Sequence, residues 1–304
     1  MKIAVIGAGA MGSIYGAHLS LNNEVYMVDT APAVVEHIEK EGIKLLENNE
    51  EHVYRPNAVT STAGMKPVDL VLLFVKSLYS KGALEANRSL IGPETYVMTL
   101  QNGSGHEDIL EEFVSRDHMV IGTTEDNGAV LGLGYVKRGG AGNTNVGMLA
   151  EDQELFLPKL KQAFECCGFT VNVHSNIQQL IWNKLFTNVS LSAVTGILQV
   201  DMGYIASNEH AWNMTARLIK EAAAVARGLG LHADDEEIME KVRKTSEMSP
   251  KGCTSIRADL QNGRKTEVDT ISGSVVRAAR KCGIPVPTHE FVVETIHAME
   301  DKSR

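Results

Sequence analysis

Three polar residues that could act on a substrate recur at intervals of four along an otherwise apolar stretch: Lys184, Asn188 and Ser192. In an α-helix, with about 3.6 residues per turn, that spacing places them along one face. The apolar remainder predicts a buried helix, and an ammonium group buried without a partner would cost several kcal/mol. We therefore expect this line of residues to face a polar cleft. The apolar residues of the stretch are Ile181, Trp182, Leu185, Phe186, Val189, Leu191 and Val194.

The amino terminus has the spacing of a dinucleotide-binding loop. Residues 2–6 have a strand pattern, Gly7-x-Gly9-x-x-Gly12 follows at once, and residues 13–21 have a helical pattern. The first glycine permits a tight turn, the second lets the backbone approach a pyrophosphate, and the third lets the helix pack on the strand. The pyrophosphate would lie at the positive end of the helix dipole. Together with the line formed by Lys184, Asn188 and Ser192, this loop predicts an oxidoreductase. The expected cofactor contacts are Gly7, Ala8, Gly9, Ala10, Met11 and Gly12.

The choice of cofactor depends on Asp29, which ends a second predicted strand at residues 24–28. It lies 22 residues after Gly7, near the offset of a carboxylate that binds the adenosine ribose. Such a carboxylate repels a 2′-phosphate, so Asp29 favours NAD over NADP. The alternative is that Asp29 only caps a helix that starts near Pro32.

Two more polar residues follow predicted strands. Lys76 comes after the apolar run 68–75, and Asn102 comes just after the run 96–100. Ligands of open α/β sheets bind beyond the carboxyl ends of the strands, where both residues would lie. The alternatives are a solvated loop lysine at Lys76 and an Asn-Gly turn at Asn102.

The alternation of strands and helices ends near the middle of the chain. Residues 43–55 predict a hairpin or loop excursion, 135–138 and 145–147 antiparallel strands added to the sheet edge, 152–167 a helix and 169–173 a last strand. The sequence therefore predicts the α/β class, with an N-terminal Rossmann-type doubly wound sheet at 1–175 and a C-terminal all-helical substrate domain at 176–304. The predicted helices of the second domain are 177–198, 209–229, 235–247, 254–262, 267–282 and 288–300.

Two residues of the helical half are ambiguous from pattern alone. Glu267 is predicted to open a helix, where an acid would simply complement the dipole. Ser255 could be an N-cap or first-turn residue near Thr254.

Composition excludes several classes of protein. The 304 residues carry a net charge of −9, which argues against a nucleic-acid-binding protein. No apolar run approaches the length of about 18 residues that a membrane span needs. The ten histidines are scattered and the four cysteines make no CxxC pair, so we predict no metal site and a cytoplasmic protein with reduced thiols.

Together these residues resemble the ketopantoate reductase family (2-dehydropantoate 2-reductases) along nearly the whole chain. The resemblance implies an active site between the two domains, with Lys184 as the proton donor and Glu267 beside it. The motifs that carry it are Gly7-x-Gly9-x-x-Gly12, Lys76, Leu100-Gln101-Asn102-Gly103, Trp182-x-Lys184-x-x-x-Asn188, Ser255 and Thr266-Glu267-x-Asp269.

The resemblance also implies contacts with the substrate. Asn102, Asn188 and Ser255 would hold its carboxylate and hydroxyl, and Lys76 would lie where substrate meets cofactor. Many members have an asparagine at the position of Ser192, which helps to bind the hydroxyl end of ketopantoate, so the shorter serine implies a roomier or differently polar pocket.

The cofactor position departs from the family pattern as well. Well-known members use NADPH and have a basic residue after the second strand, whereas this chain has Asp29-Thr30. The cofactor is therefore NADPH or NADH, with Asp29 favouring NADH.

Three functions remain open. The first is reduction of 2-dehydropantoate to (R)-pantoate in pantothenate and coenzyme A synthesis. The second is an NAD-dependent D-2-hydroxy-acid dehydrogenase acting on other branched or aromatic 2-keto acids. The third is a non-catalytic NAD(H)-binding sensor. The expected partner is a small 2-keto acid, and the sequence leaves a homodimer open.

Overall fold

The computed structural model describes residues 1–150 and 155–302. The chain forms two compact units, residues 1–101 with 106–177 and residues 102–105 with 178–304. The predicted boundary after residue 175 stays a prediction.

The strands of the described residues all belong to the first unit. In chain order they are β1 (Lys2–Ile6), β2 (Glu24–Val28), β3 (Ile43–Glu47), β4 (Glu50–Tyr54), β5 (Asn57–Val59), β6 (Leu70–Leu73), β7 (Tyr96–Thr99), β8 (Met119–Thr124), β9 (Asn127–Gly132), β10 (Tyr135–Gly140), β11 (Asn143–Met148) and β12 (Thr170–Val173).

An eight-stranded sheet forms the centre of the first unit, in the order β12-β11-β8-β7-β6-β1-β2-β5. Its neighbouring strands run parallel, except that β11 is antiparallel to β8. The chain builds outward from β1 on both sides, which is the doubly wound arrangement that was predicted. Ile6 pairs with Val28 on one side and with Leu73 on the other, so the carboxyl ends of β1, β2 and β6 are level.

A separate four-stranded sheet has the order β4-β3-β10-β9. The predicted hairpin is its β3–β4 pair, which turns at Asn48 and Asn49, both with positive φ, as a two-residue hairpin loop requires. The prediction for 145–147 is confirmed by β11, but that for 135–138 is wrong: β10 pairs with β9 and β3 instead of extending the large sheet. Period-two patterns identify a strand without identifying its partner.

The α-helices of the described residues are distributed over both units. In chain order they are α1 (Ala10–Leu19), α2 (Pro32–Glu41), α3 (Ser80–Ala86), α4 (Glu107–Leu110), α5 (Leu157–Glu165), α6 (Ile177–Thr187), α7 (Ala193–Leu198), α8 (Met202–Ser207), α9 (Glu209–Gly228), α10 (Asp235–Met248), α11 (Ser255–Gln261), α12 (Ser272–Cys282) and α13 (Pro287–Lys302).

Two helix predictions need correction, and one helix of the second unit was not predicted. The continuous helix predicted at 177–198 is interrupted by a π-helical turn, Asn188–Ser192, between α6 and α7. The helix predicted from 267 begins only at Ser272, and α8 was not predicted. The helix predicted at 152–167 is seen as α5, while residues 151–154 lie outside the described part of the chain.

The apolar side chains of the 181–194 stretch are all buried, as predicted. All of them except Ile181 form part of the core of the second unit, together with residues of α9 and α12. In residues 1–150 and 155–302, no helix is both long and apolar enough to cross a membrane.

Candidate active site

The glycine-rich loop joins β1 to the first turn of α1. Gly7 has a φ of +102°, and a Cβ on it would lie 2.9 Å from the backbone nitrogen of Val75. A Cβ on Gly12 would lie 1.8 Å from the carbonyl oxygen of Gly7. These two glycines are therefore required by the turn and by the packing of α1 on β1.

Gly9 has a different environment. It is the N-cap of α1, with φ −72° and ψ −168°, a conformation open to any residue. A Cβ there would meet no atom within 4 Å, so protein packing does not explain the glycine. The open space in front of an exposed backbone at a helix N-terminus fits the close approach of a pyrophosphate. The loop residues thus fit a dinucleotide.

Asp29 is bound to this loop. Its Oδ2 accepts the backbone N–H of Ala8 at 2.8 Å, and its Oδ1 accepts that of Ala31 at 2.9 Å. Helix α2 does begin at Pro32, but its N-cap is Ala31. Asp29 therefore does not cap α2 itself; it joins the end of β2 to the glycine-rich loop. Its role in cofactor choice stays a prediction.

Lys76 lies three residues beyond β6, is half-buried, and precedes a short 3₁₀ turn at Ser77–Tyr79. Its loop is held by Gln101, a residue for which the sequence analysis predicted no separate role. The buried Gln101 amide donates to the carbonyl of Val75 at 2.5 Å and to Ser80 Oγ at 2.9 Å. The signal that was available in the sequence was a glutamine directly after the apolar run 96–100.

Asn102 begins the short segment 102–105, which belongs to the second unit. Ser104 donates its N–H to the carbonyl of Thr270 at 2.9 Å, and a Cβ on Gly103 would lie 2.1 Å from that same oxygen. Thr270 in turn donates its N–H to the carbonyl of Glu267 at 3.1 Å. The structure therefore brings the segment of Asn102 against the turn that carries Glu267.

Glu267 is half-buried and lies in a turn that precedes α12. The prediction that it opens a helix is wrong, because Ser272 is the first residue of α12. The explanation by a helix dipole therefore no longer applies to Glu267.

Lys184 and Asn188 are half-buried, and Ser192 is buried. Lys184 lies in the last turn of α6, while Asn188 and Ser192 are the first and last residues of the π-helical turn. Turns of this kind occur frequently at functional sites. The hydroxyl of the buried Ser190 donates to the carbonyl of Phe186 at 2.6 Å within this stretch.

Ser255 is exposed and is the first residue of α11, whose N-cap is Thr254. The buried hydroxyl of Thr254 lies 2.8 Å from that of Thr195 in α7. This bond links the N-terminus of α11, and so Ser255, to the helix that follows Ser192.

The predicted residues are thus distributed over the two units. The glycine-rich loop, Asp29 and Lys76 are in the first unit, and the others are in the second. Among the described residues no group of three or more His, Cys, Asp or Glu could hold a metal ion. The residues of the second unit are Asn102, Lys184, Asn188, Ser192, Ser255 and Glu267.

Comparison with known families gives matches over both halves of the chain. The family model described as ketopantoate reductase PanE/ApbA matches residues 3–151, and the model of the C-terminal part of the same family matches residues 176–300.

Curated relatives match over almost their whole length. The 2-dehydropantoate 2-reductase of Lactococcus lactis is 30% identical over 307 residues, with 99% of this chain and 98% of the relative covered. The protein of that name from Pyrococcus horikoshii is 30% identical over 301 residues, with the same coverage.

Solved structures give the same fold. D-mandelate dehydrogenase in a ternary structure with NADH and anilino(oxo)acetate is 31% identical, with a TM-score of 0.91, covering 100% of this chain and 99% of the other. A PanE/ApbA family ketopantoate reductase from Ralstonia eutropha is 27% identical, with a TM-score of 0.90 and the same coverage.

Proposed function

Because the chain belongs to the ketopantoate reductase family of NAD(P)H-dependent oxidoreductases, we propose that it reduces 2-dehydropantoate to (R)-pantoate, a step of pantothenate and coenzyme A synthesis. The observation that carries this proposal is the match of both family models, which together include every predicted site residue. The curated relatives at 30% identity have the name of this activity.

Reduction of a 2-keto acid requires a hydride at the carbonyl carbon and a proton at the carbonyl oxygen. The nicotinamide supplies the hydride when it is bound. Lys184 gives the proton from its ammonium group, whose charge also stabilises the developing alkoxide. Glu267 orients that ammonium group and balances its charge.

The remaining residues of the proposed site hold the substrate. Asn102, Asn188 and Ser255 donate or accept hydrogen bonds at the carboxylate and hydroxyl groups, and Ser192 contributes at the hydroxyl end. Amides and hydroxyls suit this role because each can donate and accept. Lys76 attracts the anionic keto acid toward the carboxyl edge of the sheet.

A second candidate function is favoured by two observations. D-mandelate dehydrogenase, an NADH-binding relative, matches at 31% identity with a TM-score of 0.91, and the residue predicted to bind the ribose, Asp29, is a carboxylate next to the glycine-rich loop. The candidate is an NAD-dependent D-2-hydroxy-acid dehydrogenase that acts on branched or aromatic 2-keto acids. Ser192, which is shorter than asparagine, would leave room for a larger side chain.

An oxidation assay with a panel of keto acids separates these functions. The purified chain would be mixed with NADH or NADPH and with ketopantoate, 2-ketoisovalerate or phenylglyoxylate, the keto acid that corresponds to mandelate. The proposal expects the highest kcat/KM with ketopantoate. A higher value with phenylglyoxylate would favour the second candidate, and no oxidation with any acid would favour the sensor. A homodimer and a cytoplasmic location stay predictions.

A further inference from the structure

The residues on both sides of Glu267 are held by one buried hydrogen-bonded pair, Thr266 and Glu300. Glu300 Oε1 accepts both the backbone N–H and the hydroxyl of Thr266, each at 2.7 Å. The Thr266 hydroxyl oxygen also accepts the backbone N–H of Val268 at 3.2 Å. The backbone N–H groups immediately before and after Glu267 are therefore both bound into this pair.

The pair is well shielded from water. Thr266 is 4% exposed, Glu300 is 5% exposed and Val268 is fully buried. The second oxygen of Glu300 accepts from Lys265 Nζ at 2.8 Å and lies 3.2 Å from His297 Nδ1. A buried carboxylate with this many partners has little freedom to move.

The segment that carries Glu267 needs such support. It lies outside the regular helices, since α11 ends at Gln261 and α12 begins at Ser272. Its carbonyl groups do have partners, because Glu267 O accepts the N–H groups of Thr270 and Ile271 at 3.1 and 3.0 Å. The backbone N–H groups of Thr266 and Val268 are held by the Thr266–Glu300 pair, and Glu300 lies in α13.

We propose that Thr266 and Glu300 are positioning residues that fix the backbone at Glu267 and thereby aim its carboxylate at the ammonium group of Lys184. This inference rests on the proposed function, in which Glu267 orients Lys184. Thr266 and Glu300 need not touch substrate or cofactor for this role.

The test measures whether Thr266 acts through Glu267. Thr266→Val removes the hydroxyl at nearly constant shape, and Thr266→Ser keeps it. Each would be made in the wild-type chain and in Glu267→Gln, and kcat, KM for the keto acid, NADH affinity and Tm would be measured. Thr215→Val is the matched control, since Thr215 is a fully buried threonine of the same unit whose hydroxyl has no hydrogen-bond partner.

We expect Thr266→Val to lower kcat about tenfold, because misplacement of a catalytic group by about 1 Å can cost as much as about 10²-fold. KM and NADH affinity should change much less, and Thr266→Ser should restore most of kcat. In the Glu267→Gln background, Thr266→Val should lower kcat no further, because the group that it positions is already lost. Thr215→Val should leave kcat unchanged.

Several outcomes would overturn the inference. A loss of kcat that is equally large in both backgrounds would show that Thr266 acts on overall stability and not through Glu267. Wild-type kcat in Thr266→Val, with Glu267→Gln impaired, would refute the positioning role and leave the proposed function intact. Unaltered kcat in Glu267→Gln would refute the proposed role of Glu267 itself. If Thr266→Val does not fold, Glu300→Gln in the same two backgrounds is read by the same criteria.

Discussion

The backbone N–H of Ala8 donates to the carboxylate of Asp29 at 2.8 Å. This bond joins the loop that would hold the pyrophosphate to the residue that would select the ribose. A carboxylate has about four acceptor positions, and the N–H groups of Ala8 and Ala31 use two of them. The other positions are suited to ribose hydroxyls, so Asp29 can support the loop and choose the cofactor together.

Removing the charge of Asp29 should change the cofactor preference. The wild-type chain should have a higher kcat/KM for NADH than for NADPH, and Asp29→Asn should shift the ratio toward NADPH by about tenfold, since repulsion of the 2′-phosphate is worth about 1.4 kcal/mol or more at short range. Steady-state kinetics with both cofactors measure this.

Asp69→Asn is the matched control for that experiment. Asp69 also accepts a backbone N–H, that of Lys2 at 2.7 Å, before a strand of the same sheet. Asp69→Asn should leave the ratio of kcat/KM for NADH to that for NADPH unchanged. A wild-type preference for NADPH, or equal shifts in both variants, would contradict the assignment of Asp29.

The two glycines at the start of α1 should respond differently to alanine. Gly9→Ala places a methyl group where no protein atom lies within 4 Å, so Tm should stay near the wild-type value while NADH affinity falls. Gly12→Ala puts its Cβ against the carbonyl of Gly7 and should destabilise the fold by about 1–3 kcal/mol, as overpacking usually does. Thermal unfolding and NADH titration of both variants provide the measurement. Undiminished NADH affinity in Gly9→Ala would mean that the pyrophosphate does not approach this residue.

The sequence predicted what depends on local pattern. A short strand, three glycines and a helix identify the loop because each glycine has a separate steric reason, and the helices of the second half follow from apolar periodicity and from Gly and Pro at their ends. The buried face of the 181–194 stretch was predicted for the same reason. The partner strands of β10 were not predicted, because strand pairing is set by residues far apart in the chain.

The local backbone geometry that positions the predicted site residues could not be predicted from the sequence. The π-helical turn at Asn188–Ser192 replaces helical hydrogen bonds without changing the apolar pattern, so periodicity predicted one continuous helix. Glu267 was predicted to start a helix over 267–282, but the buried hydrogen bonds that Glu300 accepts from Thr266, 34 residues away, hold this segment in a turn. Contacts between residues so far apart in the chain cannot be recognised from the spacing of residue types around Glu267.

The Glu300 carboxyl should make stability depend on pH in the acid range. Burial raises its pKa, but hydrogen bonds from Lys265 and Thr266 outweigh burial and lower the pKa from 4.5 to about 2. A pKa that is lower in the folded state stabilises the fold above the unfolded value, and this contribution is lost as pH falls from about 4.5 to about 2. It amounts to roughly 3 kcal/mol at neutral pH.

Acid unfolding of Glu300→Gln tests this expectation. The variant should be less stable than wild type at pH 7, and the difference should shrink between pH 5 and pH 2, approximately the interval between the two pKa values. Glu240→Gln is the control, because Glu240 is exposed and pairs only at the surface with Lys244, where ion pairs contribute little. A stability difference that is independent of pH would show that the Glu300 carboxyl has no lowered pKa.

Asn102→Ala should impair binding of the keto acid and spare the cofactor. The loss of one hydrogen bond to a charged carboxylate should raise KM by about tenfold or more, corresponding to about 1.5–3 kcal/mol. NADH affinity, measured by fluorescence titration, should stay within about twofold of wild type. An unchanged KM would exclude Asn102 from the substrate site.

The most direct test of the central claim is the turnover of Lys184→Ala. With saturating cofactor and the best keto acid of the panel, kcat should fall by about 10²–10⁴, the usual effect of losing a general acid, while NADH affinity and Tm stay close to wild type. Lys220→Ala, which removes an exposed lysine of α9, should retain full kcat. Wild-type turnover in Lys184→Ala would contradict the account, because the proton would then come from another group.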